Sequence, residues 1–273
     1  IRMATGWPRR ATMHSHWQKQ TAERPLFSNL IWSRPETKTT AGKLLIIGGT
    51  GQGFAAAAEA YQEAEKAGIG TARVVLPHSL ERTVGRLFPG AEFVPSTPSG
   101  SFAVSALAEL LDASTWAEGI MIAADTGNNS ETTQLFEAFL TKHTGQLTLC
   151  GDSIDTLMTR PSQLLDRSDT TLVLTFDQLQ KLAVTAHHHE AFTSDMGLLL
   201  LVERLHGFNK LHAAHLVVTY EDTVAVAADG RISTTERDDR PGTNSIAAHT
   251  ATWWLQNPND PYAALTSSVY LLD

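Results

Sequence analysis

Two short stretches of this chain carry the residue types that chemistry on phosphates needs. Gly242-Thr-Asn-Ser245 precedes a run of small residues, Ile246-Ala-Ala-His-Thr-Ala251, and reads as a glycine loop opening a helix. Consecutive backbone N–H groups at such a point, together with the helix dipole, form an anion site that does not depend on side chains. Gly242, Thr243 and Asn244 are therefore candidate nucleotide-binding residues, and a simple turn with a helix cap is the plainer alternative. Phosphoryl transfer to a hydroxyl is helped by a positioned proton acceptor, for which a carboxylate is one common choice. No Asp or Glu lies between Gly242 and Ala251. Asp238 and Asp239, just upstream in an acidic loop, are the candidates for a relocated base.

The second stretch, Lys43-Leu-Leu-Ile-Ile-Gly-Gly-Thr-Gly-Gln-Gly53, reads as a buried strand running into a glycine turn. Because a helix follows, it competes as a dinucleotide fingerprint. Its spacing is Gly-x-Gly-x-Gly, however, and the next strand ends at Leu76-Pro77, where no acidic residue offers itself to a ribose. Asp125, Asn128 and Asn129 follow a third apolar run, at the strand edge where open parallel sheets bind ligands; a capping turn explains them equally well. His187-His-His-Glu190 is not expected to hold a metal, since neighbouring helical residues point in different directions. Cys150 reads as a buried small hydrophobe, and Trp253-Trp254 as packing residues.

The elements that must position these residues alternate. Strands are expected at 43–47, 71–76, 119–124, 146–150 and 171–175. Helices are expected at 54–67, 101–111 and 131–142, the last with Ser130 as its cap, at 157–165 with a break at Pro161, and from Asp177 onward. Repeated strand–helix units imply a parallel sheet covered on both faces. A helix at 196–205 precedes two strands, 216–220 and 223–228, separated only by Glu221-Asp222, so antiparallel strands join the sheet there. Helices at 247–256 and 261–272 close the chain. Residues 1–40 show no sustained period and read as an N-terminal arm, leaving 41–273 as one α/β domain.

Composition narrows the partners. The chain has 273 residues and a formal net charge of −8, which argues against a phosphate-backbone footprint, so nucleic acid is not an expected partner. Its single cysteine excludes an internal disulfide and fits a reducing, cytoplasmic setting. The longest apolar stretch, Met196 to Val202, is far short of the ~20 residues that cross a bilayer, so no membrane partner is expected.

Element order and several phrases resemble the ribokinase-like superfamily and, within it, the ADP/ATP-dependent NAD(P)H-hydrate dehydratase family, over about residues 34 to 273. Thr40-Ala-Gly-Lys-Leu-Leu-Ile-Ile-Gly-Gly49 resembles that family's first strand, and Ala56 to Pro77 its alanine-rich helix, turn and next strand. Leu149-Cys-Gly-Asp-Ser-Ile154 is similar to its Leu-Asp-Ala-Asp-Ala-Leu. Val217 to Arg231 resembles its Lys-Gly hairpin, and Tyr262 to Leu272 its closing helix. The resemblance implies a ribokinase-like three-layer α/β/α sandwich with a mostly parallel central sheet. It implies ADP or ATP with Mg²⁺ as cofactor, and substrate contacts from Gly49, Thr50, Asp125, Asn128 and Asp152. It further implies a nucleotide or NAD(P)H-derived small molecule as ligand, dehydration of NADH or NADPH hydrate, and a homo-oligomer.

The departures are systematic. Ser245 stands where the family's Gly-x-Gly-Asp loop has its catalytic aspartate, and serine supplies no carboxylate. Thr175-Phe-Asp-Gln178 replaces Thr-Pro-His-Pro-Gly-Glu, Asp125-Thr-Gly-Asn-Asn129 replaces Gly-Pro-Gly-Leu-Gly, and the hairpin lysine is missing near Tyr220. Two other readings therefore accompany the dehydratase: an inactive structural or regulatory subunit acting through protein partners, and a Rossmann-type oxidoreductase using Gly48 to Gly53.

Overall fold

The computed structural model describes residues 15–21, 23–86, 88 and 90–272; Trp7 and His14 of the expected arm lie outside them. Its strands are β1 (Trp17–Gln20), β2 (Lys43–Ile47), β3 (Thr71–Pro77), β4 (Ala91–Val94), β5 (Gly119–Ile122), β6 (Gln146–Cys150), β7 (Thr170–Thr175), β8 (His215–Tyr220), β9 (Thr223–Ala228) and β10 (Arg231–Glu236). Its helices are α1 (Ser28–Trp32), α2 (Ala55–Lys66), α3 (Glu81–Val84), α4 (Leu107–Trp116), α5 (Ser130–Lys142), α6 (Asp152–Leu157), α7 (Pro161–Leu165), α8 (Phe176–Thr185), α9 (Leu198–Leu211), α10 (Thr243–Gln256) and α11 (Pro261–Tyr270).

The ten strands among the described residues form one sheet in the order β1-β10-β9-β8-β7-β6-β5-β2-β3-β4. From β4 to β8 every pairing is parallel; β9 runs antiparallel to both β8 and β10. The apolar run Leu44–Ile47 is fully buried because both sheet faces are covered. Alternation then sorts its side chains: Leu45 and Ile47 join Phe102, Phe136 and Phe139 on one face, while Leu44 and Ile46 join Ala57, Ala60, Ala247 and Ala251 on the other. The alanines let α10 lie close against α2 and the sheet. Among the described residues no helix is long and apolar enough to cross a membrane.

Three strands escaped the sequence reading. β4 has four residues and little burial. β10 is built from Arg-Ile-Ser-Thr-Thr-Glu, whose polar side chains conceal a buried strand. Its partners satisfy them: Ser233 and Thr266 hydroxyls meet at 2.7 Å, and Trp17 Nε1 donates to Thr234 Oγ1 at 3.0 Å. Trp17–Gln20, from the segment read as an arm, pairs in parallel with β10 as β1. Several boundaries also differ: the helix expected at 101–111 is α4 at Leu107–Trp116, the one expected at 157–165 is α6 and α7, with α6 starting at Asp152 and ending at Leu157, and the one expected at 196–205 is α9 at Leu198–Leu211. α10 begins at Thr243 rather than Ala247, so Thr243 to Ser245 form its first turn. The α5 cap is Asn129, whose side chain accepts from Glu131 N at 2.8 Å, not Ser130; a carbonyl one residue earlier reaches the free N–H better.

His215 at the start of β8 is 3 % exposed, neither ring nitrogen has a hydrogen-bond partner among the described residues, and its ring meets Trp254 edge-on at 5.1 Å. Burial, opposed only by Asp229, holds its pKa below the ordinary imidazole value. His143, His188, His206 and His212 are lowered in the same way. A depressed folded-state value means that the stabilisation is present above the unfolded pKa of ~6.5 and is lost as pH falls through the folded value. Urea unfolding should show stability falling from pH 7.5 to 5.5, with a shallower fall in His215→Phe; equal slopes would refute the assignment.

Candidate functional site

The strand order reverses between β2 and β5, and it is outside the carboxyl ends of strands at such a switch that an open α/β sheet leaves a crevice. The turns after β2, β5 and β6 meet there. Gly151, which caps α6, has φ +62° and ψ −143°, and a Cβ on it would lie 2.4 Å from Ala124 Cβ. This close approach brings Asp152 against the turn after β5. Its Oδ1 accepts from Thr126 N at 3.3 Å and its Oδ2 from Gly127 N at 3.0 Å. A Cβ on Gly127 would lie 3.1 Å from Thr50 Cγ2, which places Thr50 in the same crevice. Asp125 is exposed with φ +64°, a conformation Asp tolerates better than most residues. Asn128 is exposed, and Gly49 is buried beneath Thr50.

Most backbone donors of the Gly48–Gly53 turn are already bonded, to one another or to neighbouring segments. Gly48 N donates to Val75 O, Gly51 N to Gly100 O, and Thr50 and Gly53 exchange both of their N–H···O bonds. A pyrophosphate cradle needs such groups free, so this turn shapes the crevice instead.

The free donors are on α10. Gly242 caps that helix in an extended conformation with no side-chain cap, and its first turn holds no acidic residue. Asn244 ties this end to its surroundings: its Oδ1 accepts from Ala124 N at 3.1 Å and from the Cys150 thiol at 3.2 Å. Burial pushes the Cys150 thiol far above its usual range, so it stays protonated and donates. With its oxygen so fixed, Asn244 turns Nδ2 toward Glu59 Oε2, 3.4 Å away on α2. Ser245 is half-buried at the third position of the helix.

Beside this turn is a cavity of 340 Å³ lined by Thr175, Thr219, Val224, Arg240, Gly242 and Thr243 among others. Arg240 pairs with Asp222 across it at 2.6 Å. Thr175 and Gln178 form a capping box on α8, and Gln178 Nε2 reaches Gly151 O at 2.8 Å, linking that helix to the crevice. Asp239 does not face the α10 turn as a free base: Arg237 holds it at 2.6 Å, and that hydrogen bond lowers its pKa. Asp238 lines a separate 590 Å³ cavity with Tyr270 and Leu272. In the histidine run, His188 packs edge-on against Phe208 at 4.9 Å and Glu190 lies 3.9 Å from Arg204. Sequence reasoning did not find Glu59, because on α2 it reads as one more residue of a solvated face.

A mostly parallel sheet between two helical layers, closed by an antiparallel hairpin, has the architecture of a ribokinase-like α/β/α sandwich. Solved structures of this class superpose on it. A ribokinase-like superfamily protein of Enterococcus faecalis V583 is similar with a TM-score of 0.70 and 14 % identity, over 96 % of this chain and 88 % of that one. A hypothetical protein of Streptococcus mutans is similar with a TM-score of 0.67 and 16 % identity, over 90 % and 86 %. The ADP/ATP-dependent NAD(P)H-hydrate dehydratase of Bacillus subtilis, co-crystallised with ATP and Mg²⁺, gives 0.62 and 14 % over 90 % and 86 %. No family model matches the chain, and no curated protein matches it in sequence.

Proposed function

We propose that this chain binds a nucleoside di- or triphosphate with its phosphates against the first turn of α10. It then acts on a small molecule held by the turns after β2, β5 and β6, as a dehydratase of NAD(P)H hydrates or a related small-molecule kinase would. The observation that carries the proposal is the N-terminus of α10: a fourteen-residue helix whose leading N–H groups are capped by no side chain among the described residues, beside a 340 Å³ cavity. Backbone donors of Gly242, Thr243 and Asn244 fit phosphate oxygens. Thr50, Asp125, Asn128 and Asp152, above Gly49, then form the substrate side. Mg²⁺ suits such a site because it takes one or two carboxylates together with phosphate oxygens and keeps several waters.

Ser245 enters this reading as a helix residue and not as a base, since a hydroxyl has no suitable pKa. Thermal unfolding of the purified protein with ADP, ATP, NAD⁺ and NADPH, each with and without Mg²⁺, tests the proposal. Stabilisation by ADP or ATP should reach about 2.7 kcal/mol at a hundredfold excess over Kd. A flat response to every nucleotide would overturn it.

A further inference from the structure

The α10 turn lacks an acidic residue of its own, yet a carboxylate stands beside it. Glu59 Oε2 is 3.4 Å from Asn244 Nδ2, and Oε1 lies 3.6 Å from where a Cβ on Gly242 would sit. The two residues are 185 positions apart, brought together because the alanine face of α2 lets α10 pack closely. Among the described residues no Lys, Arg or His pairs with this carboxylate. Asn244 cannot turn away from it without giving up the bonds from Ala124 N and the Cys150 thiol. An exposed carboxylate beside the helix end that would hold phosphates, with no cation partner among the described residues, suits a site that handles protons or a bridging cation.

We propose that Glu59 is the acidic group of this site, facing the phosphates of a bound nucleotide; the inference rests on the nucleotide reading above. In phosphoryl transfer Glu59 takes the proton of the substrate hydroxyl. That oxygen bonds to the terminal phosphorus while the bond to the leaving diphosphate breaks, its electron pair staying on the diphosphate oxygen. Without Mg²⁺, the same carboxylate repels the nucleotide, and this is measurable apart from any turnover.

Calorimetric titration with Mg²⁺-free ADP at low salt tests it. Glu59→Gln should bind roughly three- to tenfold more tightly than the unaltered protein, since a unit charge is removed within a few ångströms of the phosphates. Glu65→Gln, six residues further along α2 and also exposed, changes the net charge equally and should leave affinity unchanged. Ser245→Asp in the Glu59→Gln background returns a carboxylate to the turn and should restore the weaker binding. Equal affinities for the unaltered protein and Glu59→Gln overturn the role of Glu59 while leaving the nucleotide site standing. Failure of all four proteins to bind ADP, with or without Mg²⁺, overturns both.

Discussion

Gly151→Ala is expected to lower stability by roughly 3–5 kcal/mol, combining a backbone region open almost only to glycine with overpacking against a neighbour. The two penalties are independent. With φ +62° and ψ −143°, residue 151 occupies a conformation that L side chains rarely adopt. Its added methyl would also meet Ala124 Cβ at 2.4 Å and Ala124 Cα at 3.1 Å, and the strand end carrying Ala124 cannot retreat without breaking its bond to Asn244. The substitution should therefore weaken the fold and the nucleotide response together. Urea unfolding read by tryptophan fluorescence checks the first, with Gly90→Ala as control, because a Cβ there meets nothing within 4 Å. A Gly151→Ala loss within about 0.5 kcal/mol, the range of unremarkable surface changes, would show that the turn relaxes freely and that the described geometry is not required.

Asp152→Ala is expected to cost about 2–4 kcal/mol, from two backbone N–H groups that lose a charged acceptor. The carboxylate bridges Thr126 N and Gly127 N, so the turn after β5 depends on it for its shape. Asp152→Asn keeps one carbonyl oxygen for one of those donors and should cost about half as much. A substrate-binding role adds a different signature: Asp152→Asn would weaken ligand binding beyond what its stability loss accounts for. If Asp152→Ala is as stable as the unaltered protein, the bridging role is wrong, and ligand contact becomes the reason for an acid at this position.

Much of this fold is legible in the sequence. Leu44–Ile47, Gly119–Ile122 and Gln146–Cys150 are strands because continuous apolar runs of that length, bounded by glycine and polar turns, suit a sheet covered on both sides. Pro161 does not break a helix running over 157–165: it opens α7, where its missing N–H costs nothing, and α6 has already ended at Leu157. The antiparallel turn after Tyr220 followed from two β-rich runs only two residues apart. β10 was hidden because Ser233, Thr234 and Thr235 look solvated until Thr266, Trp17 and Gln20 supply their partners. Local pattern records hydrophobicity along the chain, and polar burial is satisfied from elsewhere in it.

The same division holds at the candidate site. The sequence alone determined that Gly242 opens a helix without an acid in its first turn, that glycine follows β2, and that Asp125 and Asp152 lie at strand ends. These are local properties, written in residue type and period. Only the tertiary structure decided that Asp152 spends its carboxylate on the turn after β5, that most of the Gly48–Gly53 donors are already bonded, and that Glu59 meets Asn244. Those meetings depend on strand order and on how closely α10 packs on α2. Both are set by the summed burial of two sheet faces across the whole chain, and no local window of residues contains that sum.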